Sequence, residues 1–166
     1  MAAEGVFPKI NGDIFYASEV NYLARPILLV YTGTGFNASG NATNAVELAA
    51  VTAGSLTGGK YVKIRILCTH DVSSSNAPAG GAAALKIEEK ETGGAYSTIL
   101  DHTLANQSAA LGIHSDGIDV VEYYHTITAG EFSNGLQFKI TGTTNQGGGG
   151  GNLGSMANVQ TVLELI

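Results

Sequence analysis

Residues 52–66 read TAGSLTGGKYVKIRI, and residues 128–141 read TAGEFSNGLQFKIT. Each copy begins with Thr-Ala-Gly, carries one large apolar residue (Leu56 or Phe132), and passes through a glycine turn into an alternating strand. Successive side chains of a strand point to opposite faces, so an alternating strand buries one face and exposes the other. Two equivalent units of this kind predict the two halves of one antiparallel β-sandwich.

Strand patterns continue through the rest of the chain, and no pattern indicates a long helix. The predicted strands are at 27–31, 46–51, 62–69, 85–90, 95–103, 118–127 and 159–165. Thr92-Gly93-Gly94 predicts a hairpin turn, with the charged residues of 85–90 solvated on an exposed face. Polar and small residues predict loops at 32–45, 71–81, 105–117 and 143–156.

These patterns predict an all-β fold, an antiparallel β-sandwich of seven or eight strands. The internal similarity favours a jelly roll, because the two Greek-key halves of that fold place equivalent strands in equivalent positions. An immunoglobulin-like sandwich is the alternative, although the chain has one cysteine and no tryptophan and so lacks the hallmarks of that fold.

Composition favours a single, weakly charged domain. A chain of 166 residues is long enough to bury a sizeable core. Charged residues make up 13% of the chain and glycine accounts for 23 residues, which gives a neutral surface suited to a subunit packed among neighbours. The net charge is −6 and no basic cluster occurs, so we expect no nucleic-acid partner.

The single cysteine, the first residues and the apolar runs indicate the cellular compartment in which we expect the protein to be made. Cys68 can form neither an internal disulfide nor a cysteine-based zinc site, and we expect it to be buried in a strand. Residues 1–5 have neither the basic nor the apolar region of a signal peptide, so we expect synthesis in a cytoplasm. The longest apolar run, 27–30, is too short to cross a bilayer, and no membrane partner is expected.

The N-terminal residues form a unit of their own in the sequence. An extended segment containing Pro8 is followed by a turn at 11–13 and by a short helix that Ser18 caps and that ends before Pro26. On these features alone, the unit is a hairpin with a capped helical turn that closes one end of the sandwich.

Within this unit, residues 10–21 read INGDIFYASEVN. The segment resembles an opening found in structural proteins of tailed phages and related archaeal viruses, in which Gly-Asp and then Ala-Ser or Ala-Asp alternate with hydrophobic residues before an asparagine. In that family the opening lies at the N-terminus of tail-fibre, baseplate or other virion-surface proteins, ahead of a β-rich body. The resemblance covers these 12 residues of the 166.

The resemblance implies a non-enzymatic virion structural protein, a capsid-decoration or tail-fibre subunit on the virion surface that is made in the host cytoplasm. It implies a homo-oligomer, expected to be a trimer, in contact with other virion proteins. Residues 1–25 would be an attachment segment and residues 26–166 the sandwich domain. The implied assembly contacts are Phe7, Ile10, Asp13, Ile14, Tyr16, Val20 and Asn21. A glycan- or receptor-binding β-sandwich module is the alternative function.

The sequence contains no motif for catalysis or cofactor binding. It has no Gly-x-Ser-x-Gly elbow, and its five glycines at 147–151 do not lead into Gly-Lys-Ser/Thr, so we predict neither an enzyme nor a cofactor. His114, Asp116 and Asp119 are the best candidates for a metal site. Adjacent strand residues point to opposite faces and rarely chelate one ion, so we predict no bound metal.

Three Asn-x-Ser/Thr sequons begin at Asn37, Asn41 and Asn106, all in predicted loops. They would be glycosylated only in a host that modifies virion proteins.

Overall fold

The computed structural model describes residues 36–74, 80–107, 112–147 and 152–166. These ranges contain β-strands, a 3₁₀ turn (Ala53–Leu56) and a short helix, α1 (Ala129–Asn134). The strands are β1 (Phe36–Ser39), β2 (Ala42–Glu47), β3 (Tyr61–Ser74), β4 (Ala82–Glu91), β5 (Ser97–Asn106), β6 (Ile113–Thr126), β7 (Leu136–Asn145) and β8 (Leu153–Leu165).

The strands form two antiparallel four-stranded sheets. The first sheet has the order β1-β8-β3-β6, and the second has the order β2-β7-β4-β5. The first four strands alternate between the sheets, as do the last four, which is the arrangement of a jelly roll. The predicted all-β sandwich is confirmed. Of the two predicted types, jelly roll and immunoglobulin-like, the strand order is that of a jelly roll.

The internal repeat has a structural counterpart. Advancing every strand by four places in the chain carries the first sheet, β1-β8-β3-β6, onto the second in reverse order, β5-β4-β7-β2. The copy at 52–66 therefore supplies the 3₁₀ turn and β3, and the copy at 128–141 supplies α1 and β7 at the equivalent place. The prediction that each copy belongs to one half of the sandwich is confirmed.

The core lies between the sheets and takes side chains from alternate positions of each strand. Val62, Ile64 and Ile66 of β3 are fully buried, and Ile87 and Ile140 are fully buried from the second sheet. Removing one such side chain from water contributes about 1.5–3 kcal/mol to stability. These alternate residues therefore form the core face of β3, as the alternating pattern predicts, and the face continues with the buried Cys68.

The second copy of the repeat differs from the prediction at its large apolar residue. Leu56 is completely buried, but Phe132 is 40% exposed and the preceding Glu131 is only 1% exposed. The cause is a capping box: the Thr128 hydroxyl accepts from the Glu131 N–H, and a Glu131 carboxylate oxygen accepts from the Thr128 N–H. This reciprocal bond, together with the contact of Glu131 Oε1 with His125 Nε2 at 2.7 Å, holds Glu131 inward and leaves Phe132 on the surface.

The charged face of β4 is less solvated than the sequence predicts. Glu88 is 8% exposed, and its carboxylate lies 2.9 Å from Lys139 Nζ and 3.1 Å from Lys86 Nζ. Burial raises the pKa of Glu88, but the hydrogen bonds from Lys139 and Lys86 outweigh it and the net pKa is lowered. Glu88 is thus held as a buried carboxylate rather than as a solvated charge.

The predicted loop at 32–45 is wrong over its second part, which contains β1 and the first half of β2. Each of these short strands lies at the edge of its sheet, where polar side chains are common, so they lack the expected apolar alternation. Gly40, with a φ of 72°, makes the turn between them. The predicted strand at 46–51 ends at Glu47, after which only Val51 bridges to Leu136.

Other strand ends extend into predicted loops. β3 continues to Ser74, β5 covers Ser97–Asn106, and β6 begins at Ile113 rather than at residue 118. β7 ends at Asn145, and β8 begins at Leu153 inside the predicted loop at 143–156. The backbone ladder holds these polar ends, because strand pairing does not require an apolar side chain.

Several predictions fall outside the described residues. These are the N-terminal unit, the apolar run at 27–31, and most of the five-glycine run. The division between residues 1–25 and 26–166 stays a prediction.

Candidate functional site

The outer face of the first sheet carries an exposed apolar patch. Its members are Leu67 of β3, 42% exposed, and Ile118 and Val120 of β6, 74% and 59% exposed. Leu67 and Val120 are directly paired across the two strands. Single exposed apolar residues are ordinary, but contiguous ones mark interaction surfaces. We call Leu67, Ile118 and Val120 the outer-face patch.

The patch exists because the apolar residues of β6 point outward, and not inward, in the part of the strand that precedes Val121. Over 121–127 the apolar residues point inward, as the sequence predicts, and Val121 and Ile127 are buried. Before Val121 the apolar Ile118 and Val120 point outward, while Ser115 and Asp119 share the inward face. A depression of about 210 Å³ lies beside the patch; it is lined by Leu67, Cys68, Thr69, Ile118, Asn158 and Gln160.

Charged residues border the patch along the same face. Glu122 Oε1 lies 2.7 Å from Arg65 Nε and 3.0 Å from Lys63 Nζ. The hydrogen bonds from Lys63 and then Arg65 lower the pKa of Glu122. An apolar centre with a polar border is the usual anatomy of a protein–protein interface.

The inward polar residues of β6 form a hydrogen-bonded relay with β3. His70 Nε2 lies 3.0 Å from Ser115 Oγ, and His70 Nδ1 lies 2.5 Å from Asp119 Oδ2. This is the bonding order of a Ser-His-Asp nucleophile, which also requires N–H donors that face an oxyanion. Because Asp119 and Ser115 lie on the inward face of β6 beside His70 of β3, we interpret the relay as a contact that joins the two strands.

The metal candidates predicted from sequence are not brought together. His114 Nε2 lies 2.7 Å from Asp71 Oδ1, and its Nδ1 lies 3.9 Å from Asp116 Oδ1, on the outer face. Asp119 points to the opposite face, where it binds His70. The strand therefore separates Asp119 from His114 and Asp116, so the three residues do not form one site.

Cys68 is a poor nucleophile. Its side chain is 1% exposed, and burial, with a smaller contribution from the charge of Asp119, raises the pKa of the thiol to about 12. The thiolate form that nucleophilic attack requires is thus disfavoured at neutral pH. The prediction that Cys68 is a small buried apolar residue is confirmed.

The sequons lie at the rim of the sandwich, but two of the three loop predictions are wrong. Asn37 lies within β1 and Asn106 is the last residue of β5, whereas Asn41 lies in the turn after β1. All three are exposed. Asn37 Oδ1 accepts from the Asn158 N–H at 3.0 Å, and Asn41 Oδ1 accepts from the Gln146 N–H at 2.8 Å.

A polar groove of about 310 Å³ lies where β2 meets β7. It is lined by Asn41, Ala42, Thr43, Thr143, Thr144 and Asn145. The hydroxyls of Thr43 and Thr143 lie 3.4 Å apart across it. Hydroxyl and amide groups of this kind can bind a sugar, although the lining has no aromatic side chain on which a sugar ring could stack.

The predicted assembly contacts lie outside the described residues; they are Phe7, Ile10, Asp13, Ile14, Tyr16, Val20 and Asn21. Within the described part of the chain, no helix has the length and hydropathy needed to cross a membrane.

The sandwich aligns with solved structures of infectious bursal disease virus. The chain aligns with the structure of the Gt strain of infectious bursal disease virus at a TM-score of 0.50 and 15% sequence identity, covering 84% of this chain and 32% of the other. A VP2 subviral particle of the same virus aligns at a TM-score of 0.49 and 16% identity over 84% of this chain and 32% of that one. The chain thus spans about a third of the length of these neighbours, and at this identity the likeness shows the fold.

No protein-family model matches the sequence. No curated protein matches it either.

Sequence reasoning missed both the outer-face patch and the relay. The patch was detectable, because Ile118 and Val120 alternate with Asp119 and Val121, so that one of the two faces had to expose apolar residues. The relay was not, because His70 and Ser115 come from different strands and meet only through the β3–β6 register.

Proposed function

We propose that this protein is a non-enzymatic structural subunit of a virus particle, in which its jelly roll packs against copies of itself and against other virion proteins. The jelly roll is a fold of viral capsid domains, and also of lectins and cupins. The observation that carries the proposal is the outer-face patch, because apolar residues point to solvent there while polar residues of the same strand point inward. The low charge and the likeness to a solved virus particle support the same role.

The finer assignment rests on the N-terminal resemblance. Residues 10–21 support a protein of a tailed phage or a related archaeal virus, in a capsid-decoration or tail-fibre position on the virion surface. Residues 1–25 would attach the subunit to the particle or to a neighbouring subunit. Within them, the apolar Phe7, Ile10 and Ile14 are the proposed centre of that contact, and a homotrimer is the proposed oligomer.

Light scattering of the purified chain tests this proposal. We expect a trimer or larger assembly that dissociates when residues 1–24 are deleted. Val120→Asp should weaken association at least tenfold, because a buried charge without a partner costs more than about 1.4 kcal/mol. Thr103→Asp is the matched control, since Thr103 is exposed on β5 of the other sheet and should leave association unchanged.

A monomer in both the full and the truncated form, at every concentration tested, would remove the support for self-assembly. Equal effects of Val120→Asp and Thr103→Asp would show that the outer-face patch is not the contact.

The polar groove favours a second candidate, a glycan- or receptor-binding module. Its support is the set of hydroxyl and amide groups that converge on about 310 Å³ between β2 and β7. A glycan array distinguishes the two functions. Binding that survives deletion of residues 1–24 but is lost in Thr143→Val would favour the second candidate, and absence of binding would favour the first.

A further inference from the structure

We propose that Glu89, His125 and Glu131 bind a divalent transition-metal ion, with zinc as the first candidate. Each residue offers one ligand atom, and the three atoms lie within 4.8 Å of one another. Ligand atoms around one tetrahedral zinc ion are about 3.4 Å apart, so small side-chain movements suffice to bring the three onto one ion. We call these residues the Glu-His-Glu cluster.

Three elements hold the cluster in place. Glu89 comes from β4, His125 from β6, and Glu131 from α1. His125 Nε2 lies 2.7 Å from Glu131 Oε1. His125 and Glu131 are six positions apart in the chain, and tertiary structure brings Glu89 of β4 to them.

Each ligand has a separate contact that orients it. Glu131 Oε2 accepts from the Thr128 N–H at 2.7 Å, which leaves Oε1 directed at His125. The His125 ring packs edge-on against Phe138, at 5.6 Å between centroids and 81° between planes. Glu89 Oε1 accepts from Ser97 Oγ at 2.9 Å. Such outer contacts fix ligand orientation in metal sites.

The charge of the cluster calls for a cation. Two carboxyl groups share one imidazole, and Glu131 is 1% exposed while Glu89 is half-buried. Among the described residues, the lysine and arginine ion pairs go to Glu88 and Glu122, not to the cluster. Two carboxyl groups held this close in a partly buried site favour a positive charge between them, which a divalent ion would supply.

The internal repeat indicates that the fold itself does not require the cluster. In the first half, residues 76 positions before His125 and Glu131 are Ala49 and Ser55. The Thr-Ala-Gly of that copy still leads through a turn into β3. The second copy thus adds a histidine and a glutamate to a turn that forms without them.

One imidazole nitrogen and two carboxylate oxygens favour zinc, or another first-row transition metal, over calcium, which takes oxygen ligands alone. The ion would replace the His125–Glu131 hydrogen bond, and the imidazole would bind as the neutral base. It would clamp α1 to β4 and β6 and so stabilise this end of the sandwich. The inference is independent of the proposed particle role.

The test is zinc titration of the full chain after chelator treatment, followed by calorimetry and thermal unfolding. We expect one zinc ion per chain and a Tm increase of roughly 5–10 °C at 100-fold excess over Kd. X-ray absorption should show one nitrogen ligand with oxygens completing the shell. Lower pH should weaken binding, because metal ligands must be deprotonated.

Glu131→Gln is the sharpest variant, because glutamine also completes a capping box and keeps a partner for His125. It should fold and lose most of the zinc-dependent Tm increase, as should Glu89→Gln. His114→Asn is the matched control, since it removes the exposed histidine near Asp71 and should bind zinc as the wild type does.

If zinc does not stabilise the wild-type protein, the proposal is overturned. So does binding that survives in both glutamine variants but is lost in His114→Asn, because the ion would then sit at the exposed histidine.

Discussion

Glu131 and Phe132 do not occupy the places that the repeat assigns to them. By the repeat, Phe132 corresponds to Leu56 and should be buried, yet it is 40% exposed while Glu131 is 1% exposed. Thr128-x-x-Glu131 is a capping-box spacing, so the start of α1 was predictable from sequence. The inward turn of Glu131 was not, because it depends on His125 of the neighbouring strand, which lies 2.7 Å away.

A matched pair of truncations tests this difference. Leu56→Ala should lower the free energy of unfolding by about 2–5 kcal/mol, because it leaves a cavity in the core. Phe132→Ala should lower it by less than about 1 kcal/mol, because its side chain already lies at the surface. Urea unfolding measures both. A cost for Phe132→Ala equal to that for Leu56→Ala would contradict the outward orientation of Phe132.

At the scale of elements, β6 shows why strand boundaries were mispredicted. The sequence predicts a loop up to residue 117, because 113–117 lack apolar alternation. The structure extends β6 back to Ile113 through backbone pairing with Ser74 at the end of β3. Its inward polar residues are satisfied by the relay through His70, which local sequence patterns cannot reveal since the partners lie 45 and 49 positions apart.

The relay should hold this end of the β3–β6 ladder closed. His70→Ala leaves Asp119 without its histidine partner, and an unsatisfied group of this kind costs about 1–3 kcal/mol. Hydrogen exchange of the amides at 113–119 should therefore be about 5- to 150-fold faster, while exchange at 121–126 should change little.

His114→Ala serves as the control, because it removes an exposed pair with Asp71 on the other face, and such pairs contribute about 0–1 kcal/mol. Equal acceleration in both variants, or acceleration along the whole of β6 in His70→Ala, would show that the relay has no local role.

At the scale of the whole molecule, the jelly roll was predictable because the repeat reports the relation between its halves. That relation also determines how the chain is held together. Within the described ranges, every strand pair of the two sheets joins one of β1–β4 to one of β5–β8. The repeat cannot reveal the outer-face patch or the Glu-His-Glu cluster, because both lie where the two halves differ.

This pairing predicts that neither half forms a sheet alone. Cutting the chain between Gly93 and Gly94, in the turn between β4 and β5, gives fragments 1–93 and 94–166, which separate each of the strands β1–β8 from its ladder partners. Isolated strands are not stable in water, so each fragment should give the circular dichroism and poor amide dispersion of an unfolded chain.

An equimolar mixture should recover a β-sheet spectrum, because all six strand pairs can then form between the fragments. The same mixture with Ile140→Asp in the second fragment should stay unfolded, since Ile140 is fully buried. A cooperative unfolding transition in either fragment alone would show that a half of the sandwich can pair its own strands, contrary to this topology.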